Sequence, residues 1–207
     1  MNLQTNKNLG VIGALLIVFG TIYLVIRIDF SGYSIFGCII IIIVGIILSL
    51  INLYNLAKFY QAKNIFTNAC IGAVTAIISS IVFMSLTTTI VNLYTDGIIL
   101  KGIFTICLMV AAFFVNRSLK ELTIQSGINE ITSIGKTLLC GTAFIGGAIL
   151  MPEVQYIVSY YILEIFAIFG IVTIDVAFLS LAIEFSKMKK IERPLSITTE
   201  KTSSSIE

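Results

Sequence analysis

The sequence predicts an all-α polytopic membrane protein, a bundle of six transmembrane helices with both termini cytoplasmic. Three observations carry that expectation. The first is composition: the chain is 57% hydrophobic and 12% charged. A soluble domain is about 25% charged, so there is too little polar surface here to coat a water-soluble globule of 207 residues. The second is continuity, as in CIIIIIVGIILSLI from Cys38. In lipid every backbone polar group must be paired internally, which leaves helices or closed barrels. A barrel strand would alternate polar and apolar residues over about ten positions, and these runs do not alternate. The third is charge placement. Six apolar runs can be drawn, at 9–26, 35–53, 69–91, 98–115, 134–151 and 156–183. They put Lys7, Lys58, Lys63, Arg117, Lys120, Lys136, Lys187, Lys189, Lys190, Arg193 and Lys201 on one side and only Arg27 and Lys101 on the other. Lys and Arg concentrate on the cytoplasmic side. The split therefore supports an even number of spans and cytoplasmic termini, and a multi-pass protein of the cell membrane.

The elements follow in order. A short N-terminus, 1–8, leads into a first run that ends at Arg27 without a small-residue cleavage site, so it reads as a retained helix and not a signal peptide. Gly10, Gly13, Ala14 and Gly20 lie in it. The third run reads ACIGAVTAIISSIVF from Ala69, where Gly72, Ala76 and Ser80 recur every fourth residue. The fifth contains CGTAFIGGA from Cys140, where Ala143 and Gly147 repeat that spacing. Lipid gives helices no hydrophobic drive to associate, so association depends on close packing at small residues. These stripes are expected to place the third and fifth helices in the bundle interior. The hydroxyls of Thr75, Ser79 and Ser80 are expected to bond back to their own helix.

Two longer connections, 55–68 and 116–133, mix lysines with aliphatic residues as interfacial helices do. In the second, Ser118 and Glu121 have the spacing of a capping box that opens a short helix, with Gly127 to stop it. The tyrosines Tyr23, Tyr33, Tyr94, Tyr156, Tyr160 and Tyr161 on one side, and Tyr54 and Tyr60 on the other, fall where an interfacial belt is expected. Beyond Phe185 the sequence turns basic and then rich in Ser and Thr. Residues 186–207 are expected to form a disordered cytoplasmic tail.

The last run carries the only chemistry that stands out. Glu164 and Asp175 lie inside it, eleven residues apart. That is close to three helical turns, so both fall on one face. A charge at the centre of a span costs about 2.5–3.5 kcal/mol on insertion scales, so both acids are expected to face other helices. Lys101 at the start of the fourth run is the expected ion-pair partner of Glu164, its long stem reaching inward. Lys136 at the start of the fifth is the expected partner of Asp175. Without a cation, burial favours a neutral acid, and a protonated Asp175 bonded to Thr75 or Ser79 is the expected alternative.

Three patches resemble an archaeal family of multi-spanning membrane proteins of unknown function (DUF 996). They are KNLGVIGALL from Lys7, KNIFTNACIGAV from Lys63, and AFFVNRSLKEL with SGINEITSIGKTLLCGTAFIGGAIL between Ala112 and Leu150. The resemblance implies an archaeal multi-spanning membrane protein. It implies no activity, and Glu164 and Asp175 lie outside the matching patches.

Several chemistries are excluded by residue type. The chain has no histidine, which removes HExxH zinc sites and the base of an intramembrane serine protease. An intramembrane aspartyl protease needs two aspartates on separate helices, and Asp175 is the only one within a run. Gly135–Thr137 reads GKT without the upstream glycine of a phosphate-binding loop. The cysteines Cys38, Cys70, Cys107 and Cys140 fall in different runs, so neither a disulfide framework nor a metal site is indicated. No enzyme activity, cofactor or nucleic-acid partner is expected. The expected function is that of a non-catalytic membrane component acting through helix packing and contacts with a membrane protein or with its own copies. The alternative is a small proton- or cation-linked transporter using Glu164 and Asp175.

Overall fold

The computed structural model describes residues 3–26, 32–88, 94–150 and 157–188, and side chains over 5–23, 37–81, 101–150 and 164–188. Arg27 and residues 189–207 of the expected tail 186–207 lie outside the described residues, while Ser186 and Lys187 belong to the last helix. The described chain is six helices: α1 (Leu3–Ile26), α2 (Gly32–Tyr60), α3 (Lys63–Thr88), α4 (Tyr94–Ser126), α5 (Glu130–Leu150) and α6 (Ile157–Lys187). Each contains a stretch long and apolar enough to cross a membrane. Side chains such as Phe19, Ile40, Val74, Ile106 and Phe169 are more than half exposed. An apolar girdle of this kind is unsuited to water, so the surface belongs in a bilayer.

The helices form a closed antiparallel ring. Each packs on its neighbours in sequence, and α6 returns to α1. The antiparallel sense is visible in the contacts of α1 with α2. Gly20 meets Ile42, Gly13 meets Gly45 and Ser49, and Gly10 meets Asn52, so one helix climbs as the other descends. No helix occupies the centre, so α3 and α5 are members of the rim and not the interior helices their small-residue stripes suggested. Both turn an apolar face outward, Val74, Ile77 and Ile81 on α3 and Leu150 on α5. The core lies toward the end that holds the α2–α3 and α4–α5 turns, where Leu56, Ile65, Leu119, Leu122, Ile131 and Phe185 meet. Lys58, Lys63, Arg117, Lys120, Lys136 and Lys187 are all exposed in the half of the ring toward this turn end.

The two turns stop their helices by different devices. Gln61 adopts a left-handed φ of 57°. The Ala62 N–H donates to Ala57 O at 2.9 Å and the Gln61 N–H to Lys58 O at 3.4 Å. That is the double bond pattern of a Schellman cap. After α4, Gly127 takes φ 71° and its N–H donates to Thr123 O at 2.8 Å, the simpler left-handed cap. Gly127 thus stops the helix, but the helix it stops is α4 itself. Ser118 does not cap a separate segment. It is fully buried inside α4 and donates to Ile65 O of α3 at 2.7 Å.

Glycines seal three hairpins in one recurring geometry. A Cβ on Gly13 would lie 2.9 Å from Gly45 O, and one on Gly45 would lie 2.8 Å from Gly13 O. Gly141 and Gly170 face each other the same way, at 2.9 and 2.8 Å, between α5 and α6. Gly72 of α3 sets its missing Cβ 3.0 Å from Ala111 O of α4. In each case the backbones approach because no side chain separates them. Of the small residues expected to pack, Gly72 is buried but Ser80, Ala143 and Gly147 are exposed, and Ala76 is half-buried. A Cβ on Gly147 would meet nothing within 4 Å. The physical reason is rotation: two steps of four residues turn about 80° round a helix of 3.6 residues per turn. Gly72 therefore shares its face with Ser79, which is buried, and not with Ser80. On α5 the buried face is Gly135, Leu138, Gly141 and Gly146, while Ala143 and Gly147 share the outward stripe with Lys136.

Candidate functional site in the polar seams of the ring

Asp175 lies midway along the apolar stretch Glu164–Lys187 of α6. It sits on the face that meets α1, as does Phe185, which touches Gly10. The residue is 7% exposed, and Thr21 of α1 donates to its Oδ1 at 2.5 Å. Thr21 Oγ1 also lies 3.0 Å from Ile17 O and 2.9 Å from Val18 O of its own helix. A hydroxyl has one hydrogen and two acceptor sites, so it can donate to only one of these oxygens at a time. Thr21 therefore either donates to a carboxylate or, facing a protonated Asp175, accepts from it and donates to its own backbone. Both arrangements tie α1 to α6 at the same point.

Glu164 is placed differently. It is exposed and has no partner among the described residues, so the ion pair expected with Lys101 does not form. The antiparallel register set by Thr21 and Asp175 puts Glu164 past the last residue of α1, Ile26. Two acids on one helical face are thus placed differently: Asp175 lies against described residues of α1, and Glu164 lies beyond them. Lys136 is exposed on the outer stripe of α5 and does not meet Asp175. Thr75 donates to Ile71 O of its own helix at 2.7 Å, as its sequence context suggested. Ser79 instead crosses to Phe104 O of α4 at 3.3 Å. Neither hydroxyl serves Asp175, because the ring seats α6 between α1 and α5, away from α3.

Other polar side chains also cross between helices. Besides Ser118 and Ser79, Thr132 of α5 donates to Thr123 of α4 at 2.9 Å. Glu184, 8% exposed, accepts from Lys187 one turn on at 2.7 Å. A second group of buried polar atoms has no hydrogen-bond partner among the described residues. It comprises Asn6 Oδ1, Ser49 Oγ, both side-chain atoms of Asn52, and Thr105 Oγ1. Leaving a buried donor or acceptor unpaired costs about 1–3 kcal/mol. Three of these residues line the α1–α2 seam. Ser49 lies against Gly13 and Asn52 against Gly10, and Asn6 is one turn below Gly10 on α1.

Thr21, Asn6, Asn52 and Glu184 were missed as site residues in the sequence. Asn52 carried a usable signal, a carboxamide at the end of the apolar run 35–53. Thr21 carried none, since a lone threonine in a span usually bonds its own helix. No family model, curated protein or solved structure matches this chain.

Proposed function

We propose that this chain is a non-catalytic integral membrane component, acting through helix packing and contacts with a membrane protein or with its own copies. The observation that carries this reading is the use made of its intramembrane acid: Asp175 is held by Thr21 as a tie between α1 and α6. The crossing bonds of Ser79, Ser118 and Thr132 act alike. In this reading both termini are cytoplasmic, which agrees with the exposed lysines and Arg117 in the turn-end half. Membership in the archaeal family DUF 996 is part of the proposal and brings no activity to it. The test is purification from native membranes in mild detergent. A stoichiometric partner or a defined homo-oligomer is the expected result, and a monomer free of partners would count against the reading.

A second reading is favoured by the unpartnered atoms of Asn6, Ser49 and Asn52. In it the chain is a small proton- or cation-linked transporter, with Asp175 as the titrating or cation-binding group. Reconstitution into liposomes with a pH-sensitive dye tests it. Flux that Asp175→Asn abolishes in a folded protein supports transport, and a dye response equal to that of empty liposomes rejects it.

A further inference from the structure

The seam between α2 and α3 is the loosest in the ring, although a two-residue turn joins these helices. On its outer side is a groove of about 220 Å³, lined by Ile47, Leu50, Ile51 and Tyr54 of α2 and by Phe66 of α3. The Tyr54 and Phe66 rings close its turn end edge to face, with centroids 5.1 Å apart. Lys58 stands one turn beyond Tyr54 on the same face of α2, and Lys63 stands one turn before Phe66 on α3. Both lysines are exposed, and neither has an ion-pair partner among the described residues. Two cations therefore flank the aromatic end of an apolar groove, where a membrane interface would lie.

We propose that this groove binds one anionic phospholipid, with a stretch of hydrocarbon chain against Ile47, Leu50 and Ile51 and the phosphate between Lys58 and Lys63. The groove is too small for a helix, which is at least about 10 Å across. Its walls are apolar and its end is doubly positive, which matches a lipid with a charged head and an unbranched or branched hydrocarbon tail. A zwitterionic lipid carries its own cation and gains less from the two ammonium groups. Lysines near a membrane surface favour anionic lipid, and Tyr54 stands one turn from Lys58, the pairing of aromatic and cation that interfaces favour. The proposal goes beyond the reading of the chain as a contact component and does not depend on it.

The test uses the full chain in phosphatidylcholine nanodiscs, titrated with phosphatidylglycerol, with retained lipid counted by native mass spectrometry. One retained phosphatidylglycerol in preference to phosphatidylcholine is expected. Changing Lys58→Gln and Lys63→Gln is expected to weaken that preference about five-fold for each lysine lost. The paired changes Lys58→Arg and Lys63→Arg keep the charge and should keep the lipid. Lys120→Gln with Lys136→Gln removes as much charge elsewhere and should leave retention unchanged. If the glutamine variant proves unstable, the wild type still decides: its phosphatidylglycerol preference should fall as salt is raised. Soluble glycerol phosphate should not displace the lipid, since it has no tail for the groove. Equal retention of both lipids, undiminished retention in the double glutamine variant, or full displacement by glycerol phosphate overturns the proposal. So does a dimer in the mass spectrum that Ile51→Trp abolishes, because a second copy would then be the occupant.

Discussion

The α1–α2 and α2–α3 seams share a helix and differ in every physical respect that matters for packing. Toward α1, α2 presents Gly45, whose backbone carbonyl lies 2.9 Å from where a Cβ on Gly13 would stand. Toward α3 it presents Ile47, Leu50, Ile51 and Tyr54, and the two helices part to leave a groove. Apolarity does not distinguish the two faces. Lipid is as apolar as leucine and gives helices no reason to associate on that ground. What distinguishes them is size: small residues let backbones close to contact, and large ones hold them apart. The same rule explains the α5–α6 hairpin, sealed by Gly141 and Gly170. It also explains why a two-residue turn does not suffice to tighten α2 against α3.

The comparison is broken most severely at Gly45. Gly45→Leu puts a branched side chain where Gly13 O and Ile17 already stand within 3.0 Å of the missing Cβ. Overpacking typically costs about 1–3 kcal/mol and occasionally more. Here the obstacle is rigid backbone, so the upper end is expected, about 3 kcal/mol. Titration with SDS, read by loss of helical signal or protease resistance, should show a clear shift to lower SDS. An unchanged midpoint would mean that the α1–α2 contact does not hold the fold.

A paired test on α5 separates close approach from glycine as such. Gly141→Leu meets Gly170 O at 2.9 Å and Ile174 at 2.8 Å, whereas Gly147→Leu meets open space. The first should lower the melting temperature in detergent much as Gly45→Leu does. The second should leave it near wild type. Equal effects would show that glycine content, and not seam geometry, sets stability.

These pairs also mark what could be read from the sequence. Helix number and class were legible because continuous apolar runs and one-sided lysines are strong, redundant signals. Which glycines pack was only partly legible. Gly10, Gly13 and Gly20 are buried, but a repeat of four drifts off the face it starts on, so Ser80 was misplaced, and the Ala143–Gly147 pair lies wholly on the outward stripe. Lys136 held the correction, because a residue on a cation-bearing stripe of a membrane helix faces outward. Asp175 was legible as an unusual acid, but its partner was not. Thr21 is identified by the register between α1 and α6, which are distant in sequence, and no local pattern encodes that register. Glu164 was misread for a related reason: its helical face was right, but the register that sets it beyond Ile26 of α1 is not encoded locally.

The α1–α6 seam should respond less than the glycine seams, since it rests on a hydrogen bond. Such bonds between membrane helices average about 0.6 kcal/mol and reach about 1.7. Thr21→Val keeps the shape and removes the hydroxyl, leaving a buried acid without its donor. It should cost more than Asp175→Asn, whose carboxamide still bonds Thr21. Thr21→Ser should recover most of the loss. Should Asp175→Asn prove the more damaging of the two, the tie would depend on the carboxyl group itself.

The smallest effect is expected on the open side of α2. Ile51→Phe adds bulk to the same helix as Gly45→Leu, but Ile51 is 40% exposed and lines the groove toward α3. The added ring has the groove or the surrounding lipid to enter and displaces no backbone. Substitutions at open surface positions typically stay within about 0.5 kcal/mol of wild type. The SDS midpoint should therefore stay nearly unchanged, while Gly45→Leu on the opposite face moves it strongly. Both residues lie on one helix, and the helix propensity gained by replacing glycine works against the loss expected for Gly45→Leu, so propensity does not produce the contrast. A large loss for Ile51→Phe would mean that α2 and α3 close on each other in the bilayer, and that the contrast between tight and loose seams does not hold there.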